Sequence, residues 1–192
     1  MIKKAKNLKR DQKGKIILGF TGLPACGKGT AAKYLAAKYG AGTFRFSTSM
    51  RDLLDRLYLP QSRENMSAIS RITRQEFGQD LYAKVMAGDV GKAKYDIVVV
   101  DGIRRLDDVK ELKKLASFKL VAIEVDMKTR WQRLRMRGEN PDDATKTWKE
   151  FQKDHKLETE LTIPPVMKQA DFFINNNGSL KDFYKQLDKL VK

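Results

Sequence analysis

The stretch Gly22-Leu-Pro-Ala-Cys-Gly-Lys-Gly-Thr30 decides the fold of this chain. It satisfies the pattern G-x-x-x-x-G-K, and Thr30 follows within one turn of the lysine. The glycines let the backbone wrap so that its N–H groups and the positive end of the next helix face a phosphate, which the Lys28 ammonium can reach. The stretch also lies between a predicted strand, Lys15–Phe20, and a predicted helix, Gly29–Tyr39. This pattern in this context predicts a phosphate-binding loop, or P-loop.

Further short apolar runs alternate with helical patterns along the rest of the chain. The run Tyr95–Val100 is almost continuously apolar, as is typical of a strand buried on both faces of a parallel sheet. We therefore expect an α/β fold, a three-layer α/β/α sandwich with about five parallel strands, with ligands at the carboxyl ends of the strands. The predicted strands are Lys15–Phe20, Gly42–Ser47, Tyr95–Val100, Lys119–Val125 and Asp171–Ile174.

Helical spacing of apolar residues predicts the connecting elements, with Gly40 ending the first helix and Ser179 capping the last. After the first helix, the predicted helices are Ser49–Tyr58, about 64–86, Leu106–Ser117, Lys128–Arg137, Asp142–Leu161 and Ser179–Val191.

Length and composition indicate one domain without a membrane span. The 192 residues are 41% apolar and 33% charged, and the apolar runs fall far short of the roughly 18 residues that cross a bilayer. The single cysteine, Cys26, cannot form an internal disulfide, which favours a reducing cytoplasm. We expect a flexible leader over residues 1–14 and a catalytic domain over 15–192, as a monomer or homodimer.

The net charge of +15 is concentrated in part at the start of the chain, where residues 1–15 carry seven Lys or Arg and one Asp. Such a cluster could bind nucleic acid through its phosphates. A solvated leader is the favoured interpretation, because no aromatic side chain interleaves with these lysines to stack on bases.

A carboxylate follows the third predicted strand in Val98-Val-Val-Asp-Gly-Ile-Arg-Arg105. A buried strand that ends in Asp101 delivers this carboxylate to the rim of the sheet, where it could orient Mg²⁺ directly or through water. Thr30 is the predicted second Mg²⁺ ligand. The alternative for Asp101 is a cap on the next helix.

Three motifs in order resemble adenylate kinases. GLPACGKGT is similar to the phosphate loop of that family, DGIRR resembles its Asp-Gly-Phe-Pro-Arg motif without the proline, and Phe46-Ser-Thr-Ser-Met-Arg51 resembles a shortened form of its acceptor-nucleotide segment. The resemblance implies a phosphotransferase that uses ATP and Mg²⁺ with a small nucleotide as acceptor. It further implies an acceptor-binding helical region at about 48–92, with Thr48 and Arg51 near the acceptor nucleotide. Arg104 would lie on the acceptor phosphate, and Arg105 could share this role.

The resemblance also places a short lid at about 130–162, where Arg130, Arg133 and Arg137 share one helix face and can approach the transferring phosphoryl group. The alternative is a solvated basic helix face. His155 is interpreted as a surface residue and Cys26 as packing within the loop. The predicted catalytic residues are Lys28, Arg104, Arg130 and Arg137. The predicted donor-binding residues are Gly22, Ala25, Cys26, Gly27, Lys28, Gly29, Thr30, Asn175 and Asn177.

DGIRRLDDVKEL, KTRWQRLRMRG, TWKEFQKDHKLE and NNNGSLKDF also resemble an archaeal and bacterial group described as adenylate-kinase-like or dephospho-coenzyme A kinase-like. A nucleoside monophosphate acceptor is favoured, because it is already an anionic nucleophile that needs no strong base. Dephospho-coenzyme A kinases place an aspartate just after the second strand, where this chain reads Ser47-Thr-Ser49. That activity is the second hypothesis, and a nucleic-acid-associated NTPase is the third.

Overall fold

The computed structural model describes residues 15–138 and 143–192. The predicted basic leader and residues 139–142 lie outside these residues. The sheet is parallel throughout, with the strand order β2-β3-β1-β4-β5. The strands are β1 (Ile16–Thr21), β2 (Gly42–Arg45), β3 (Ile97–Asp101), β4 (Phe118–Glu124) and β5 (Phe172–Asn175).

Helices cover both faces of this sheet, so the predicted three-layer α/β/α sandwich is confirmed. In the described residues they are α1 (Lys28–Tyr39), α2 (Ser47–Arg56), α3 (Arg63–Phe77), α4 (Leu81–Lys92), α5 (Leu106–Leu112), α6 (Met127–Arg137), α7 (Trp148–Asp154), α8 (Glu158–Leu161), α9 (Ile163–Met167) and α10 (Leu180–Val191). Across these residues none is long and apolar enough to span a bilayer.

Two stretches that were each predicted to be one helix contain two helices in the structure, so these two predictions were wrong. The pattern at 64–86 divides into α3 and α4, because Gly78 takes a positive φ of 100° and its N–H caps the Arg74 carbonyl. The pattern at 142–161 begins only at Trp148, where Thr147 and Glu150 form a capping box, and the first helix ends after Asp154. The short helix α8 follows and carries Glu160.

The core consists of two apolar layers on either side of the central strands. Every residue of β1 and β3 is buried, which confirms the prediction made for the apolar run of β3. Leu18 and Phe20 pack with α1 and α10, whereas Ile17 packs in the opposite layer with α4 and α5. This burial fixes the strand register, in which Phe20 of β1 pairs with Asp101 of β3 and with Val121 of β4. The carboxyl ends of β1 and β3 therefore meet at one edge.

The closing helix α10 is held to α1 by a polar cluster around Asp188. Its carboxylate accepts hydrogen bonds from Lys38 Nζ at 2.8 Å, Tyr34 Oη at 2.7 Å and Tyr39 Oη at 2.8 Å. Tyr34 also stacks on Tyr184 of α10, with ring centroids 3.8 Å apart. Burial opposes ionisation of Asp188, but these donors outweigh it and lower its pKa to about 2.

We expect this cluster to make stability depend on pH in acid. Because the pKa of Asp188 is lowered in the folded state, its contribution is complete above the ordinary value of about 4 and is lost as the pH falls toward 2. Asp188→Asn should lower the free energy of unfolding at pH 7 by about 1–2 kcal/mol and flatten its pH dependence between about pH 4 and 2. Urea unfolding followed by circular dichroism measures this, with Asp89→Asn on the exposed side of α4 as control. An unchanged acid slope would contradict the assignment.

Candidate active site

The loop between β1 and α1 has the geometry of a phosphate cradle. Gly22 and Gly27 have φ values of 148° and 106°, and a Cβ atom at Gly22 would lie 2.7 Å from the Ile123 carbonyl oxygen. The Lys28 ammonium folds back over the loop and donates to the carbonyl oxygens of Gly22 at 2.7 Å and Leu23 at 3.4 Å. Lys28 thus lies over the concave loop, close to where phosphate oxygens would bind.

Asn176 supports this loop from the end of the sheet, and sequence reasoning missed it. Its buried side-chain amide donates to the Cys26 carbonyl oxygen at 2.9 Å, and it would lie only 2.5 Å from a Cβ atom at Gly27. The Asn175–Asn177 run was the available signal, but the alternation along β5 decides which of the three residues points inward. Cys26 itself is buried, consistent with a packing role.

A cavity of about 400 Å³ opens beside the loop. The Asn177 side chain closes one side by accepting from the Asp126 N–H at 2.8 Å, whereas Asn175 bonds to Gln186 of α10. The cavity has the volume of a small-ligand site, and its lining combines apolar, amide and charged groups. The lining residues are Leu23, Ile123, Glu124, Val125, Asp126, Arg130, Met167, Asn175 and Asn177.

The carboxylate of Asp101 lies at the carboxyl end of β3, as the sequence predicted. Its Oδ2 is 3.5 Å from Arg45 Nε, whereas Oδ1 is buried with no hydrogen-bond partner among the described residues. A buried carboxylate oxygen without a donor suits a hydrated divalent cation, since either the ion or its water would satisfy it. Thr30 lies exposed in the first turn of α1. Both side chains carry oxygen atoms, the ligands that Mg²⁺ prefers.

Arg104 and Arg105 follow at the start of α5, and a buried carboxylate fixes their backbone. Asp108 Oδ2 accepts from the N–H groups of Arg104 at 3.2 Å and Arg105 at 3.1 Å. Its Oδ1 lies 3.8 Å from Nη2 of Arg74, a buried arginine of α3 that also donates to the Gln79 carbonyl oxygen. Burial raises the pKa of Asp108 and lowers that of Arg74, and their opposite charges counter both shifts. This pair connects α3 to the Arg104 turn.

Arg130 is a buried component of the site rather than part of an exposed helix face. Its Nη1 is 3.5 Å from the Pro24 carbonyl oxygen of the phosphate loop and 2.6 Å from His155 Nε2. His155 Nδ1 lies 2.8 Å from the Phe151 carbonyl oxygen, so Nδ1 carries the proton and Nε2 accepts from the guanidinium. Burial lowers the pKa of Arg130, and the nearby Cys26 and Glu160 side chains oppose that shift. The interpretation of His155 as a surface residue was wrong.

Glu160 of α8 is the second residue that the sequence did not indicate. Its Oε1 accepts from Arg104 Nη1 at 3.0 Å, which makes an ion pair between α8 and the turn that follows β3. Its Oε2 is buried without a hydrogen-bond partner among the residues that the structure describes. The segment of α7 and α8 therefore contacts both predicted phosphate-binding arginines, Arg130 through His155 and Arg104 through Glu160.

Comparison with known proteins agrees with this geometry. The family model described as an AAA domain matches residues 21–150. The UPF0200 protein of Staphylothermus marinus is 31% identical over 171 residues, which cover 89% of this chain and 88% of the relative. The chain belongs to the UPF0200 family. The UPF0200 protein of Sulfurisphaera tokodaii is likewise 31% identical, over 92% of this chain and 96% of its own.

Solved structures similar to this UPF0200 family member have the P-loop kinase fold. Shikimate kinase from Bacteroides thetaiotaomicron superposes with a TM-score of 0.61 at 15% identity, over 91% of this chain and 95% of that chain. A gluconokinase from Sinorhizobium meliloti has a TM-score of 0.57 at 9% identity, over 95% and 91%. The resemblance to P-loop kinases is thereby confirmed for the fold.

Two predicted residues of this UPF0200 family member, Arg137 and Arg51, have other partners in the structure. Arg137 pairs with the buried carboxylate of Asp143 at 3.2 Å, in the turn beyond α6. Arg51 donates to Gln61 Oε1 at 2.5 Å, and Thr48 is exposed in the first turn of α2. The roles of residues 48–92 in acceptor binding and of residues 130–162 as a lid stay predictions.

Proposed function

We propose that this chain is an ATP-dependent phosphotransferase that moves the γ-phosphoryl group to a nucleoside monophosphate. The observation that supports an anionic acceptor is the position of Arg104. Asp108 accepts a hydrogen bond from the backbone N–H of Arg104, three residues beyond Asp101. The Arg104 guanidinium already has an anionic partner, the Glu160 carboxylate. Guanidinium groups bind phosphate oxygens through the same parallel N–H donors that they offer to carboxylates.

In this proposal the donor base occupies the cavity beside Asn177, and the donor phosphates lie in the loop beneath Lys28. Arg130, which contacts that loop at Pro24, is placed to neutralise charge on the transferring group. Mg²⁺ held by Thr30 and Asp101 would neutralise charge on the β- and γ-phosphates. Arg104 orients the acceptor phosphate for in-line attack.

The chemical step needs no strong base from the protein. An acceptor phosphate oxygen forms a bond to the γ-phosphorus as the bond between that phosphorus and the bridging oxygen breaks. The electron pair of the broken bond stays on the ADP β-phosphate, and the acceptor oxygen brings its own negative charge. Catalysis then depends on alignment and charge neutralisation, which this cationic edge of the sheet can supply.

Dephospho-coenzyme A is the second candidate acceptor, and Glu160 is the observation in its favour. A ribose hydroxyl requires a general base, and Glu160 has a buried carboxylate oxygen with no hydrogen-bond partner among the described residues. The position after β2 offers no such group, because Ser47 begins α2 and the next carboxylate, Asp52, is exposed.

The test is an ADP-release screen with ATP and Mg²⁺ against all ribo- and deoxynucleoside monophosphates, with dephospho-coenzyme A on the same plate. A strong signal with one monophosphate is the expected result. A signal with dephospho-coenzyme A alone would replace the proposal by the second candidate. ATP binding without turnover of any acceptor would reject both, and nucleic-acid-stimulated hydrolysis would then be measured with and without residues 1–14.

For the monophosphate identified in this screen, Arg104→Ala and Arg51→Ala should raise the acceptor KM by about 10- to 100-fold, the effect of losing a charged hydrogen bond. ATP affinity should change less than about threefold, since neither residue is assigned to the donor phosphates. Steady-state kinetics with either substrate varied measures both values. Arg56→Ala, at the exposed end of α2, is the matched control. Unchanged acceptor kinetics would remove these arginines from the acceptor site.

A further inference from the structure

The ion pair between Glu160 and Arg104 is incompletely satisfied. The Glu160 side chain is only 11% exposed, and among the described residues the cation that it contacts is Arg104, whose Nη1 lies 3.0 Å from Oε1. Its Oε2 is buried and lacks a hydrogen-bond partner in the part of the chain that the structure describes. A buried carboxylate with one charged donor keeps much of its desolvation cost. The contact is therefore one that a better anion can replace.

This carboxylate interacts with two cationic side chains, Arg104 through an ion pair and Arg130 through its charge. Arg104 is on the turn that follows Asp101, and its backbone is fixed by Asp108. Arg130 contacts the loop at the Pro24 carbonyl oxygen and is close enough to Glu160 for their charges to interact. An anion at this position faces the site where the proposed reaction brings two phosphates together.

We infer that Glu160 competes with the acceptor phosphate for Arg104 and thereby sets the affinity of the site for its acceptor. The inference rests on the proposed role of Arg104 as an acceptor-phosphate ligand. A phosphate dianion can take two parallel N–H bonds from the guanidinium, whereas Glu160 takes one. Acceptor binding thus releases Glu160 and lets α8, a helix of four residues, move away from the end of β3.

Because of this competition, the site selects its acceptor by the negative charge that the acceptor carries. A dianionic monophosphate offsets the cost of displacing the carboxylate, but a neutral hydroxyl compound does not. In the absence of acceptor, Glu160 also keeps the Arg104 guanidinium occupied beside the bound donor.

The experiment measures binding of AMP by calorimetry, with the donor site filled by a non-hydrolysable ATP analogue. Glu160→Gln keeps the shape of the side chain and removes its charge, so AMP should bind about five- to thirtyfold more tightly than to the natural chain. Glu160→Ala removes the contact altogether and should bind AMP at least as tightly. Asp96→Asn removes the same charge at the opposite edge of the sheet, just before β3, and is the control.

Arg104 must carry the effect if the inference holds. In the Arg104→Ala background, Glu160→Gln should change AMP affinity by less than about twofold, because the shared partner is gone. Thermal unfolding of each variant with bound ATP analogue verifies that the binding data come from folded protein.

Two results would overturn the inference. One is that neither Glu160 variant binds AMP more tightly than the natural chain, including the case in which no AMP binding is detected. The other is a turnover loss of about a hundredfold in Glu160→Gln at unchanged acceptor affinity, which identifies a general base. Failure of the proposed function is a separate observation, namely a screen in which no monophosphate is phosphorylated, and the calorimetric comparison remains decisive in that case.

Discussion

Lys28→Ala is expected to lower the rate of phosphoryl transfer by about 10²–10³-fold, whichever acceptor the chain uses. In the structure, the Lys28 ammonium is held within the loop by the carbonyl oxygens of Gly22 and Leu23. Bound phosphate oxygens would replace these two carbonyl oxygens as partners of the ammonium group. Removal of the lysine leaves the negative charge on the β- and γ-phosphates less neutralised in the transition state. ADP release at saturating acceptor measures the loss.

Lys33→Ala is the matched control, because it removes the same charge from an exposed position of α1. It should leave the rate within about twofold of that of the natural chain. The melting temperature of Lys28→Ala should also change little, since the loop carbonyl groups that it releases can bind water. A Lys28→Ala variant that keeps more than a tenth of the rate would show that the loop does not act on the transferred phosphates.

Asp108→Ala is expected to lower the free energy of unfolding by about 3–5 kcal/mol. The substitution leaves the Arg74 guanidinium buried without its counter-charge and removes the acceptor of the Arg104 and Arg105 N–H groups. Asp108→Asn should cost less, since its amide oxygen can still accept from these two N–H groups. Denaturant unfolding followed by circular dichroism gives the values.

A double-mutant cycle separates the ion pair from the backbone contacts. Replacing Arg74 by Met as well should recover part of the loss in Asp108→Ala, because the unpaired buried cation is removed. The acceptor KM should stay raised in the double variant, since Arg104 remains without its backbone support. Additive losses with no recovery would mean that Arg74 and Asp108 stabilise the fold independently. Asp107→Asn, the exposed neighbour on α5, is the control.

The fold could be predicted because its strongest signals are local. An apolar strand followed by the Gly22–Thr30 loop and a helix leaves little choice of conformation, since the positive φ values at Gly22 and Gly27 suit glycine. The uninterrupted apolar run that became β3 is typical of a strand buried within a parallel sheet, and β3 lies between β2 and β1. The breaks in the predicted helices were harder to place, because a single glycine such as Gly78 is tolerated in many helices.

The site could be predicted only in part. Lys28 lies beyond β1, Asp101 ends β3 and Arg104 follows it, so their placement at the carboxyl ends of two neighbouring strands is a consequence of topology. The sequence indicated Arg130 as a candidate site residue, but it did not indicate that His155 is the partner of this arginine. His155 lies 25 residues further along the chain, and its neighbours Asp154 and Lys156 are those of a solvated helix face.

By itself, the sequence determined the parallel α/β sandwich, the phosphate loop and the edge of the sheet where ligands bind, because each depends on residues close together in the chain. Only the tertiary structure decided which anion meets Arg104, which carboxylate pairs with Arg74, and which asparagine supports the loop. Glu160 is 56 residues from Arg104, and Asn176 is 150 residues from Cys26. Such contacts depend on how α8 and β5 pack on the rest of the fold, and a pattern of residue types along the chain does not encode these distances.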